Sequence, residues 1–541
     1  MSPRGISLSH RARRLVRNRE SSYHPKSENY KWWLLATVML GTFMAVLDAT
    51  IVNVGLPKIM ASFGVGLDKI EWVITAYMLA MAVMLPTSGW MADKFGYKKM
   101  YFNGLLLFTI GSFLCGMSGD ENMLIIARII QGLGAGTIQP LGMAIITREF
   151  PPHQRGLALG FWSIAAAASV SFGPLIGGYL IDNFSWQLIF DVNIPVGLLA
   201  MFATIVIQQE YKNPRTRKFD IVGFVSVVIF LPLTLFALSE GNAATNVAGW
   251  YAPYILACFA IAIIALAVFI TTELTVKEPL IDLRLFTNHN FGVSMIILLI
   301  FSLGMFGSTF LLPIYLQNSL GYTALQAGSV FLPVGIIQGM MAPISGRMAD
   351  KFNPKIPILI GVVLLAFSFY MNSTLSFLTE RSVIMLSLYI RGFAMGLIFT
   401  PLSTISLMQI PREKMAQASG LSNTLRQLGG SIGVALLATV LSSRVSYHAQ
   451  MYEQSIQPGS QTFVNVSKSI ANQVMHNSGS SYSDAMTKGQ FAIVSNVSKQ
   501  AYIQGIDDDF LIAAFITIIG GIPILFLRVK KNKISINKNH G

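Results

Sequence analysis

The chain has 541 residues, of which 53% are hydrophobic and 12% charged, and its formal net charge is +14. Soluble domains carry about 25% charged residues, so a soluble globule is excluded. The cations lie in alternate short stretches between apolar runs, which speaks against a nucleic-acid-binding surface.

Apolar runs of about 20 residues, each able to cross a hydrocarbon core of about 30 Å, recur throughout the sequence. They are too long and continuous for barrel strands, so the predicted fold class is an all-α membrane protein. Residues 1–31 form a basic cytoplasmic tail with Arg4, Arg11, Arg13, Arg14, Arg17, Arg19, Lys26 and Lys31, leading into an uncleaved first span. Fourteen transmembrane helices are predicted, at 33–55, 70–91, 98–118, 122–143, 156–181, 187–208, 219–239, 251–272, 291–316, 325–347, 356–376, 383–408, 416–442 and 509–529. Cys115 and Cys258 both fall in such spans and imply neither a disulfide framework nor a metal site.

Loops carrying Lys94, Lys98 and Lys99, then Arg148 and Arg155, then Lys351 and Lys355, alternate with loops that hold Asp120, Glu121, Asp182 and Glu240. The positive-inside rule therefore places both termini in the cytoplasm. The stretch 443–508 breaks the rhythm. It is polar, external by this count, and reads either as a solvated loop or as a docking or capping element.

The pentapeptide Met91-Ala92-Asp93-Lys94-Phe95 recurs as Met348-Ala349-Asp350-Lys351-Phe352, and Arg128 followed by Pro140 is echoed by Arg391 followed by Pro401. The chain is therefore two related halves. An N-terminal six-helix bundle occupies 32–210, two inserted helices 211–275, a C-terminal six-helix bundle 276–529, and a cytoplasmic tail 530–541. Paired bundles with a site between them suit alternating access.

Three groups of residues carry candidate chemistry. Asp48 lies well inside the first span, where a charge costs roughly 2.5–3.5 kcal/mol on insertion scales and must face protein or water. It either exchanges a proton as part of coupling or is held by neighbouring hydroxyls and amides. Arg128, within the fourth span, is its matching cation, acting on Asp48 or bridging helices. The second half offers no mid-span acid to match, so the proton site is asymmetric. The loop at 89–100, with Gly89, Asp93, Lys94, Gly96 and Lys98, reads as a gate fastening at the cytoplasmic face, with a weaker copy at Gly346, Arg347, Asp350 and Lys351, where Asn353 replaces the second glycine. Gly173, Pro174, Gly177 and Gly178 combine a helix breaker with small residues and read as a hinge or packing seam.

On these motifs the chain resembles the major facilitator superfamily, specifically its fourteen-span drug:proton antiporters of the EmrB/QacA type, over residues 32–529. The segments carrying the resemblance are Gly89–Met100, Leu124–Gly136, Gly173–Gly178, Leu47–Pro57, Trp186–Gly197, Pro279–Phe286 and Arg426–Gly433 followed by Tyr447–Gln450. It implies efflux of amphiphilic drugs in exchange for protons across a bacterial inner membrane, with no cofactor. It also implies that the loop 443–508 could meet a periplasmic adaptor (EmrA-like) feeding an outer-membrane channel (TolC-like).

Candidate substrate contacts are Asn53, Gln131, Gln139, Phe161, Trp162, Tyr315, Gln317, Gln338 and Arg391, with Glu71 as an acidic contact for cations near the outer face. An exporter of one native amphiphile, such as a fatty acid or siderophore, is the alternative on the same scaffold. No phosphate loop of the Walker type is present, and no metal cluster or nucleophile–base arrangement points to an enzyme.

Overall fold

The computed structural model describes residues 29–151, 154–212, 218–241, 246, 248–351, 353–407, 410, 415–455, 460–478 and 481–528. Within these the long elements are all helical. The first bundle comprises α1 (Tyr30–Phe63), α2 (Leu67–Phe95), α3 (Tyr97–Gly116), α4 (Glu121–Glu149), α5 (Arg155–Asn183) and α6 (Leu188–Ile207, broken at Val192). The inserted pair is α7 (Ile221–Glu240) and α8 (Pro253–Thr275). The second bundle follows as α9 (His289–Asn318), α10 (Ala324–Lys351), α11 (Lys355–Met371), α12 (Arg381–Leu407), α13 (Met415–Ser455) and α15 (Tyr482–Gly521), with α14 (Gln461–Ser478) between the last two.

Side-chain caps start several helices where the apolar runs begin. Asp120 accepts from the Met123 amide at α4, Asn288 from Phe291 at α9, and Ser481 from Asp484 at α15. Prolines stand inside α1, α4, α5, α7, α9, α10 and α12. Membrane helices tolerate them because neighbouring helices satisfy the freed carbonyls. In α2 the interruption is visible, since the axis turns by 52° between Leu85 and Thr87, at Pro86.

By length and apolar composition ten described helices can cross a membrane, and the bent α2 makes an eleventh. That is fewer than the fourteen expected. The remaining three, α3, α5 and α11, fall outside those criteria. Each nevertheless packs along qualifying helices: α3 on α4, α5 on α1 and α10, and α11 on α12 and α15. The molecule is a multi-pass membrane protein.

Two contacts join the bundles along their length, α2 against α13 and α5 against α10. The inserted helices pair with each other, and α7 also leans on α2 and α13. The rim of α8 exposes Ile261, Ile263 and Ile264, as a lipid-facing helix does.

The stretch 443–508 departs from a solvated loop. It is largely helical, because α13 continues to Ser455 and α15 begins at Tyr482. Arg444 and His448 on the α13 extension donate to Asp508 Oδ2 at 2.6 and 2.8 Å. The hairpin α14–α15 closes on Phe463, Ser467, Ala471, Ala485 and Ile493, with the Ser467 carbonyl 2.8 Å from where a Cβ on Gly489 would stand. The helical period was present in the sequence: Phe463, Ser467, Ile470, Ala471 and Val474 share one face.

Candidate functional site

Asp48 sits midway along α1, fully buried. A carboxylate there needs donors, and two helices, α4 and α6, supply them. Arg128 Nη1 on α4 lies 2.5 Å from Asp48 Oδ2. Gln131 Nε2, one turn further along α4, donates to Asp48 Oδ1 at 2.8 Å, and Asn193 Nδ2 donates to the same oxygen at 2.9 Å. Asn193 reaches in because α6 is broken at Val192, so its second segment starts at that residue.

The guanidinium is equally well held. Arg128 Nε donates to the Val73 carbonyl of α2 at 2.9 Å, and Nη1 also donates to Gln131 Oε1. Its plane rests over Tyr77, 4.0 Å from the ring centre, and Tyr77 in turn donates its hydroxyl to the Ala45 carbonyl. Gln131 Nε2 further donates to Ser112 Oγ on α3, a reach that depends on Gly111, where any Cβ would collide with the Gln131 backbone. Of the two sequence readings of Asp48, the geometry displays the held one: amide donors and the Arg128 guanidinium surround it.

This arrangement ties α1, α2, α3, α4 and α6 to one carboxylate. Proton uptake at Asp48 would cancel its charge, remove the ionic half of the contact and leave Arg128 charged in the bundle. The chemistry available is reversible protonation coupled to helix packing. Asn193 and Ser112 were not singled out in the sequence, because uncharged polar residues in apolar runs are common.

The second bundle lacks such a pair. Arg391 on α12 is 2% exposed, lies over Phe369 at 4.8 Å, and none of its three guanidinium nitrogens has a hydrogen-bond partner among the described residues. Arg426 on α13 likewise has an unpartnered Nε.

The loop at 89–100 is fastened within its own bundle. Gly96 has φ +109°, a backbone that favours glycine, and lets α3 begin at once after α2. The Glu210 carboxylate, just beyond α6, receives the amides of Lys98 and Lys99 at 3.1 and 3.3 Å, and Tyr97 N donates to the Tyr211 carbonyl. Lys98 Nζ donates to the Ile205 carbonyl at 2.6 Å, Asp93 Oδ1 accepts from Tyr97, and Lys94 lies over Trp90. Gly89, expected to permit close helix approach, has no neighbour within 4 Å of a Cβ. In the second copy Gly346 meets only Thr400 at 3.7 Å and Arg347 is exposed. The side chains of Asp350 and Lys351 lie outside the described residues.

Glu210 is thus the acid that anchors the start of α3. Glu210→Ala is expected to cost about 1 kcal/mol, by analogy with loss of an N-terminal cap, and to lower the melting temperature of the purified protein.

The glycine seam in α5 closes the bundles at the end opposite the basic loops. Gly173 and Gly177 admit Thr50 and Ile51 of α1, Gly178 admits the α10 backbone at Ala324 and Leu325, and Gly328 of α10 admits the Pro174 carbonyl. Asp182, at the end of α5, accepts from the amides of Ala324 and Leu325 at 3.1 and 2.7 Å and so caps the start of α10 across the bundle boundary. Gln317 Nε2 donates to the Val54 carbonyl, and Ser431 Oγ to the Thr75 carbonyl. At the basic end, by contrast, Gly89 on α2 and Gly420 on α13 have nothing within 4 Å.

The remaining candidate contacts divide. Gln131 belongs to the Asp48 cluster and not to a substrate surface. Tyr315 is buried and donates to the Ser376 carbonyl at 2.7 Å, and Gln317 holds the bundles together. Trp162 Nε1 donates to Thr42 Oγ1, and Phe161 is exposed beside Trp32. Asn53, Gln139 and Gln338 are half-buried on α1, α4 and α10.

Glu71 stands in the second turn of α2. It is 1% exposed beneath the inserted helix α7, where Ser239 Oγ donates to its Oε1 at 2.5 Å. Glu71→Gln, which keeps that acceptor, is expected to leave the preference between cationic and neutral substrates unchanged in a transport assay. Glu71→Ala should cost about 1–3 kcal/mol in thermal stability by stranding the hydroxyl.

Paired helical bundles that meet along two helix contacts, with a buried ionic site in one of them, define a membrane transporter rather than an enzyme. The chain matches the Major Facilitator Superfamily over residues 38–434 and belongs to that family. It is 35% identical over 422 residues to the multidrug export protein EmrB of Escherichia coli (strain K12), covering 77% of this chain and 82% of that one. It is 31% identical over 499 residues to the fatty acid resistance protein FarB of Neisseria gonorrhoeae, covering 92% and 95%. Among solved structures, an inward-facing, unoccupied bacterial homologue of the human lysosomal transporter Spinster shares the fold, with TM-score 0.61 and 15% identity, covering 94% of this chain and all of that one. This protein is accordingly an efflux transporter of the superfamily.

Proposed function

We propose that the protein is a proton-coupled multidrug exporter of the cytoplasmic membrane, with both termini inside, exchanging amphiphilic compounds for protons by alternating access and without a cofactor. The observation that carries this reading is the fully buried Asp48–Arg128 pair, at which five helices converge. With the basic loops in the cytoplasm, the closed end faces outward and the substrate would enter from inside or from the inner leaflet. In this state Asp48 is held against Arg128; proton uptake from outside, in the opposite state, would loosen the α1–α4 contact and favour return.

One proton entering gains about 2.3 kcal/mol per 100 mV and about 1.4 kcal/mol per pH unit. At about 1.4 kcal/mol per tenfold step that supports a substrate gradient of two to three orders of magnitude. The test is proton release from acidified everted vesicles on addition of a cationic dye. Dye-induced alkalinisation of the lumen supports antiport, and dye export with no proton movement rejects it.

A second reading, export of one native amphiphile, is favoured by the similarity to a fatty acid resistance protein and by Arg391, a buried cation whose guanidinium nitrogens have no hydrogen-bond partner among the described residues. Arg391→Ala would then abolish export of a long-chain fatty acid while sparing a cationic dye. A periplasmic adaptor and an outer-membrane channel would meet the helical extension formed by α13, α14 and α15; co-purification with and without residues 456–481 tests that assembly.

A further inference from the structure

The basic end of the inserted helix pair holds a second pair of buried carboxyl groups that the transport reading does not use. Asp220 caps α7, its Oδ1 accepting from the Gly223 amide at 2.8 Å. Glu273, in the last turn of α8, accepts from the Ile281 amide at 2.9 Å through Oε2. The second oxygen of each, Asp220 Oδ2 and Glu273 Oε1, is buried and has no hydrogen-bond partner. The residues themselves are 8% and 0% exposed.

Those two oxygens point at the same place. Each lies 2.6 Å from the position a Cβ on Gly223 would take, so both border one small space that exists because residue 223 has no side chain. Two ionised carboxylates cannot share so small a buried volume without a positive charge between them. Among the described residues the surroundings do not provide one. The charged groups acting on Glu273 are Asp220 and Asp282, both acids. Glu278 receives the Lys218 amide instead, and the Arg284 guanidinium is turned to the carbonyls of Leu274 and Val276. A metal ion needs more ligands than two oxygens, and no group of three His, Cys, Asp or Glu side chains suited to a metal occurs among the described residues.

We propose that Glu273 keeps its proton and donates it to the Asp220 carboxylate, and that this shared proton clips α7 to α8 and to the segment leading into the second bundle. The site is separate from Asp48 and does not depend on the antiport reading. Its consequence is a cytoplasmic pH sense: the folded protein keeps a proton that the unfolded chain gives up, so by linkage the hold weakens as pH rises. Through Ile281 the loosening reaches the linker ahead of α9, and through α7 it reaches α2 and α13, the helices that join the bundles.

The test uses the full chain purified into lipid nanodiscs, with melting temperature read across a pH series from mildly acid to alkaline and infrared spectra recorded in ordinary and heavy water. Wild type should lose stability on the alkaline side and show a carboxylic-acid carbonyl band that shifts in heavy water. Glu273→Gln supplies a permanent donor. It should fold, remove that band and flatten the alkaline loss. Gly223→Ala puts a methyl between the oxygens and should lower the melting temperature throughout while removing the band. If Glu273→Gln and wild type fall in parallel with pH, or if Gly223→Ala leaves the band in place, the shared proton is overturned. Restoration of wild-type alkaline stability by sodium or potassium chloride, with an impermeant organic salt as ionic-strength control, would overturn it in favour of a bound metal cation.

Discussion

Arg128→Ala is expected to be the most damaging single substitution in the membrane interior. It leaves the Asp48 carboxylate at zero exposure with only the amides of Gln131 and Asn193. Breaking a buried pair by removing one partner costs about 3–5 kcal/mol. That is a large part of the 5–15 kcal/mol by which folded proteins are typically stable. The variant should therefore express poorly, melt well below wild type and transport nothing. Arg128→Lys should fall between, because an ammonium cannot serve both the Val73 carbonyl and Asp48 in the forked geometry of the guanidinium. The double variant Asp48→Asn with Arg128→Gln removes both charges. It should recover much of the lost stability without recovering uphill export. Melting temperatures of the three purified proteins measure this series, and an unchanged value for Arg128→Ala would reject the pair as a structural centre.

The second large effect is expected at the α5–α10 seam. A valine at Gly178 would drive its side chain into the backbone of Ala324 and Leu325, and one at Gly328 into the Pro174 carbonyl. Neither neighbour is a flexible side chain that could turn aside. Overpacking costs typically 1–3 kcal/mol. Here the clash lies between the bundles, so it opposes closure at the end opposite the basic loops more than it opposes folding. A shift of that size between two conformations changes their ratio by about 5–150-fold. Gly178→Val should thus keep its melting temperature to within a few degrees, lose most transport, and expose Gln317, which in the closed state donates to Val54. With Cys115 and Cys258 replaced, the rate at which Gln317→Cys reacts with an impermeant maleimide from outside should rise on adding Gly178→Val. Unchanged labelling together with unchanged transport would show that the seam does not gate.

Much of this site could be read in the sequence because charge inside a hydrocarbon span is costly and cannot be left alone. Asp48 and Arg128 stand out for that reason, as does the asymmetry with Arg391. What pairing geometry adds was not readable. Asn193 looks like one polar residue among many until the break at Val192 turns it onto Asp48. Glu210 holds the loop at Lys98 and Lys99 from more than a hundred positions away, and only the return of α6 to the basic end brings it there. Glu71 is covered by the inserted helix α7, and nothing local in α2 reports which helix lies outside. The stretch 443–508 was read by its polarity, although α14 carries a helical period. In a segment beyond the membrane, polarity describes the solvated face and says nothing of whether the backbone is ordered. Asp182 was counted only as an acid on the outer side, and its service as a cap for α10 depends on the two bundles meeting.

Asp48 is the residue proposed to couple proton movement to transport, and the most direct measurement separates coupling from translocation. Everted vesicles carrying wild type or Asp48→Asn would be assayed twice, once for uphill accumulation of a fluorescent cationic drug under an imposed proton gradient, and once for exchange of preloaded drug with no gradient. Asparagine preserves the shape and an acceptor for Arg128, so the predicted result is loss of uphill accumulation with exchange retained. Uphill accumulation by Asp48→Asn at the wild-type rate would contradict the account.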